Sequence, residues 1–80
     1  MANAGKTIVK IKAPVMLVQT QNKIKEPVWM EKDFFPNLLD LINEYKIEIK
    51  GIEFLQEHVK IFFKDKHHAM KFRLVYEGKN

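Results

Sequence analysis

The sequence predicts an α+β fold: a small antiparallel sheet with two helices packed on one of its faces. Three observations predict it. Apolar and polar residues alternate at Ile8–Ala13 and again at Lys46–Lys50 and Val59–Phe63, as they do in half-buried strands. Between those stretches Phe35, Leu38, Leu39, Leu41, Ile42 and Tyr45 recur at helical spacing. At Asp65 the hydrophobic period then switches from strand-like to helix-like, so a strand runs directly into a second, capped helix.

Taken in order, residues 1–6 read as a loose lead-in to a single domain spanning residues 1–80. In the first strand Val9, Ile11 and Ala13 face the core. Pro14 cannot donate to a ladder, which predicts an edge, a bulge or a bend. Val15–Val18 continues in extended form and Gln19–Lys23 is a turn; Ile24–Met30 either pairs back as a short strand, giving a hairpin, or is kept from it by Pro27, leaving one long bent strand. Asp33 predicts an N-cap and Pro36 an early helical position, giving a helix over 34–45. After Lys46–Lys50 the parity slips, since Ile47 and Ile49 are odd whereas Ile52 and Phe54 are even. That slip requires a bulge or turn at Lys50-Gly51. Leu55–His58 reverses the chain into the strand Val59–Phe63. Asp65 caps a helix over 66–76 that presents Ala69, Phe72 and Tyr76, helped by Met70 or Leu74, and Gly78 stops it. The order is β(β)-α-β-β-α, ferredoxin-like but lacking the last strand.

Composition excludes several kinds of chemistry. No cysteine is present, which removes disulfides, thiolate zinc sites and cysteine nucleophiles. No serine is present either, and neither Thr7 nor Thr20 has a partner that would activate it. The carboxylates are scattered among lysines, and the three glycines form no phosphate loop. No enzyme and no cofactor is expected. His67 and His68 are adjacent on a helix and diverge by about a hundred degrees, so with His58 they make no usual ligand set, and no metal is expected. The longest apolar run, Val15–Val18, is too short for a membrane span, and no secretory leader is visible behind Met1. A soluble, intracellular, cytoplasmic protein without membrane association is the expectation.

Two surfaces stand out. Lys60, Phe62 and Lys64 project from the strand face opposite Val59, Ile61 and Phe63, with Lys10 and Lys12 on the first strand. A ring flanked by ammonium groups can stack a base while the lysines meet phosphates, and the net charge of +4 suits a polyanion. Phe62 packing on a neighbouring side chain is the plainer reading, because no second stacking ring accompanies it. Trp29 is either a lid on the core or, with Val28, Met30 and Phe34, an exposed anchor for a protein partner.

The segment Ile61-Phe62-Phe63-Lys64-Asp65-Lys66-His67-His68-Ala69-Met70-Lys71-Phe72-Arg73-Leu74 resembles the ending of small uncharacterised accessory proteins of large tailed phages. These share a strand, an Asp, two or three polar residues, an Ala and a Phe-Lys-Leu-like run, in which Arg73 here replaces a lysine. The resemblance implies a phage accessory protein, a class that binds and redirects host machinery, and it assigns a role to no residue. The leading expectation is a non-enzymatic regulator that binds and modulates a host protein or complex. The alternative is a basic domain that binds single-stranded nucleic acid on its sheet face.

Overall fold

A computed structural model describes residues 7–78, so the lead-in over 1–6 lies outside the described residues. The elements are β1 (Ile8–Lys12), β2 (Val15–Gln19), β3 (Lys25–Trp29), α1 (Phe34–Glu44), β4 (Ile49–Leu55), β5 (His58–Phe63) and α2 (Lys66–Gly78). They form two antiparallel sheets, one of three strands in the order β1-β5-β4 and one made of the hairpin β2-β3. Since β5 lies between β1 and β4, the unit β1–α1–β4 is a crossover with a third strand inserted. This is the predicted β-α-β-β-α order, with the hairpin placed between the first strand and the first helix.

Alternation decides the core. On β5, Val59, Ile61 and Phe63 are buried while His58, Lys60 and Phe62 are half-buried. On β1, Val9 and Ile11 share the core face. On β4, Ile49 faces Phe63, Ile52 faces Ile61 and Phe54 faces Val59. That match needs one extra residue, and the register shifts between Ile49 and Gly51 as the parity slip predicted. Both helices cover this face. Leu38, Leu41 and Ile42 of α1 and Ala69 and Phe72 of α2 belong to one buried cluster. The Phe63 and Phe72 rings meet at 5.2 Å. Burial of this kind supplies most of the stability of so small a domain.

Because β5 begins at His58, β1 runs out of partner after Lys12, and the chain turns away at Pro14. Val15 N–H bonds to the Ala13 carbonyl at 2.8 Å, a tight turn centred on the proline. The two-residue β4–β5 turn grips the corner. Ala13 N–H donates to the Glu57 carbonyl at 3.0 Å and Glu57 N–H to the Val15 carbonyl at 2.7 Å. Leu17 N–H donates to Gln56 Oε1 at 2.8 Å. Glu57 takes a left-handed φ of 59° to present both of its backbone groups. Beyond the corner, β2 finds its partner in β3, and Met30 N–H closes the base on the Pro14 carbonyl at 2.8 Å. Pro27 lies opposite Leu17. Thr20 N–H bonds across to the Ile24 carbonyl, so the even-numbered pairs carry the ladder and the missing N–H of Pro27 points to the open edge.

The helix ends depart from expectation. Asp33 has helical φ and ψ of −89° and −6° and makes no side-chain cap bond. A cap residue needs extended backbone, whereas here a turn with Phe34 N–H on the Glu31 carbonyl leads in. At the other end, α1 closes with Lys46 N–H on the Asn43 carbonyl and Ile47 N–H on the Ile42 carbonyl. Together these are a Schellman motif, with Lys46 at a left-handed φ of 54°. Lys46–Glu48 is therefore the exit from the helix rather than strand, and Tyr45 is its exposed cap. Asp65 does cap α2, accepting from His68 N–H at 3.0 Å. That helix continues through Gly78, two residues beyond its predicted end. Its stripe is Ala69, Phe72, Val75 and Tyr76, and Met70 and Leu74 turn to solvent.

Two outcomes follow from these ends. Lys46→Gly relieves a left-handed side chain and should stabilise the fold by roughly 0.5–1 kcal/mol in urea denaturation. The Asp65 carboxyl is held below its ordinary range, chiefly by the His68 N–H, against opposing desolvation. A carboxyl lowered in the folded state stabilises fully above its unfolded value and loses that contribution as pH falls through the folded one. Asp65→Ala should therefore lower Tm at neutral pH, and the deficit should vanish in strong acid. Asp65→Asn should keep most of the cap and flatten the acid slope.

Candidate interaction surfaces

The hairpin sorts its residues by parity onto two faces. Val15, Leu17 and Trp29 lie on one side and Met16, Val18, Glu26 and Val28 on the other. Trp29 turns inward. Its ring stacks on Phe34 at 5.8 Å and on Phe35 at 5.3 Å, and it meets the edge of Phe54 at 5.7 Å. Phe35 and Phe54 also meet at 5.4 Å, so the four rings bind hairpin, α1 and β4 together. Val28, Trp29, Met30 and Phe34 are therefore not one patch. Trp29 and Phe34 are half-buried in the aromatic cluster, while Val28 and Met30 face solvent.

The outward side of the hairpin carries the row that sequence reasoning only half located. Met16 pairs with Val28, and Val18 pairs with Glu26. Ile24 and Met30 extend the same parity at either end. Met16, Val18, Ile24, Val28 and Met30 are each 38% to 68% exposed. Glu26 is the one charge within the row. The sequence carries no alternation there, since Val15 to Val18 are all apolar, and the outward row became visible only once the partner strand was known.

The uncovered face of the main sheet collects Lys10, Lys12, Lys60 and Phe62, as predicted from alternation, together with Ile8, His58, Glu53 and Leu55. Its charges are partly compensated. Lys60 pairs across the strand with Glu53 at 3.8 Å, and Lys64 pairs with Glu48 at 3.4 Å. Lys64 follows the end of β5 and stands apart from the strand row. Phe62 is half-buried, with Ile8 and Gly51 as its cross-strand partners and no ring stacked on it among the described residues. The histidines have separate duties. His58 Nδ1 lies 3.1 Å from the Gln56 carbonyl, and His68 Nδ1 accepts from Glu48 N–H at 3.0 Å, tying the entry of β4 to α2.

Between the helices, Phe34, Leu38, Leu41 and Tyr76 line a shallow cavity of about 450 Å³ rimmed by Glu31, Asp40 and Glu44. Burial pushes the Tyr76 hydroxyl above its ordinary pKa. No helix among the described residues is long and apolar enough to cross a membrane.

The aromatic cluster yields a direct check on Trp29. Phe54→Ala should destabilise the fold by roughly 2–4 kcal/mol and shift Trp29 emission to the red. Unchanged emission would mean that the ring does not pack there. The chain matches no protein-family model, no curated protein and no solved structure.

Proposed function

We propose that the protein is a non-enzymatic binding module whose outward hairpin face docks on a partner protein. The observation that carries this reading is the contiguous row Met16, Val18, Ile24, Val28 and Met30, left exposed on a hairpin that the aromatic cluster holds rigidly. Adjacent apolar side chains on one face of a small protein are a docking feature, whereas scattered ones are ordinary. The methionines add adaptable contact surface at such a site. A role as an accessory protein of a tailed phage, modulating a host protein or complex, fits this surface.

The pairing of Lys60 with Glu53 weighs against a nucleic-acid role for the sheet face, although Lys10, Lys12, Lys60 and Phe62 do share it. One experiment addresses both readings. Capture from cell extract should survive nuclease treatment and be lost in the Val28→Glu variant, with the circular dichroism spectrum unchanged. If the variant retains the same partner, the hairpin face is not the contact. If capture disappears with nuclease, and Phe62→Ala weakens it with a steep salt dependence, the sheet face and nucleic acid take its place.

A further inference from the structure

A second surface lies on the opposite side of the main sheet, at β1. This strand pairs only with β5, so one of its edges is open among the described residues. Phe63 N–H donates to the Thr7 carbonyl at 2.7 Å, and Ala13 N–H donates to the Glu57 carbonyl at 3.0 Å. The odd-numbered residues of β1 thus turn their backbone groups toward β5. Ile8, Lys10 and Lys12 turn theirs outward, three donors and three acceptors in a row. The register along β1 runs without a shift from Ile8 to Lys12. The other edge differs: β4 carries the bulge near Lys50 and has β2 beside it, and both features discourage pairing.

A groove of about 410 Å³ runs along the open edge, lined by β1 and by Phe72, Arg73, Tyr76 and Glu77 of α2. Val9 and Tyr76, both half-buried, give it apolar surface, while Phe72, stacked on Tyr76 at 5.3 Å, is itself fully buried. Lys10, Lys12 and Arg73 outnumber the single lining carboxylate of Glu77. Two copies pairing edge to edge would oppose like charges, so lysines there deter self-association. They favour an acidic strand.

We propose that the open edge of β1 takes up an extended segment of a partner protein as a fourth strand. Acidic side chains of that segment lie beside Lys10 and Lys12, and alternate apolar ones enter the groove against Val9 and Tyr76. This surface is separate from the hairpin face, and its test is independent of that reading.

The probe is a blocked hexapeptide of alternating valine and glutamate, titrated into the isotope-labelled chain and compared with its valine–lysine counterpart. The acidic peptide should bind about tenfold more tightly and should slow amide exchange at Ile8, Lys10 and Lys12. Lys10→Gln should weaken it about threefold. Lys10→Pro removes an outward donor while leaving the β1–β5 bonds in place, and it should abolish binding. Where that variant fails to fold, N-methylation of the peptide on its β1-facing amides should abolish binding to the unaltered chain instead. Equal binding of the two peptides, or unprotected amides at Ile8, Lys10 and Lys12, would overturn the proposal. Protection of the same amides by a single-stranded oligonucleotide but by neither peptide would overturn it too.

Discussion

The fold hangs on the corner at Ala13-Pro14-Val15. A strand that continued past Lys12 would have no neighbour, because β5 begins at His58. Pro14 supplies the bend, and the Gln56-Glu57 turn receives the chain with two backbone bonds and the Gln56 side chain. Parity survives the bend: Val9, Ile11, Ala13 and Val15 all remain on the inner side, and the last three are buried. The hairpin is thereby hung from the end of the main sheet with its inward face already chosen. Each unpaired backbone group at such a corner would cost on the order of 1–3 kcal/mol if buried, so the clamp is what allows a change of sheet.

The aromatic cluster converts that corner into a rigid arm. A two-stranded hairpin alone is marginally stable in water. Here Trp29 is carried to Phe34, Phe35 and Phe54, which come from α1 and β4. The hairpin's inward face is consumed by this packing. Its outward face receives no cover among the described residues, because both helices lie on the core side of the main sheet.

Local chemistry was legible in the sequence, and long-range placement was not. The bulge before Gly51 was readable because two odd isoleucines followed by Ile52 and Phe54 cannot share a face without it. Asp65 was readable because a cap and a change of period coincide there. Asp33 misled because the residue type suits a cap, while the turn from Glu31 sets a helical backbone that cannot act as one. The left-handed Lys46 was hidden, since the motif usually advertises itself with glycine. Trp29 could not be assigned to core or surface because its direction depends on the corner at Pro14 and on which strand opposes Val15. In the sequence Val28 and Met30 belong only to one of two alternative readings of Trp29, and Met16, Val18 and Ile24 join them only through the pairing of β2 with β3.

Contiguity is what separates a functional apolar surface from the ordinary excess of apolar atoms on a small protein. Tyr45 is exposed at the end of α1, and Ile8 is exposed opposite Phe62 on the main sheet. Met70 and Leu74 lie one turn apart on α2, flanked by Lys66, Lys71 and Arg73, so their row is short and bordered by cations. The hairpin row differs in having cross-strand neighbours, which bring side chains within direct contact of one another. An edge formed of such a pair would invite aggregation if it were flat and unguarded. Lys23 and Lys25 at the hairpin tip, Glu26 in the row and Pro27 on the outer strand are the devices that restrain this. They leave the face open while blocking the edge. The result is a hairpin that can be covered by a complementary surface but extended by another strand only with difficulty. On β1 the arrangement is reversed: the backbone there is free to pair and the face is charged.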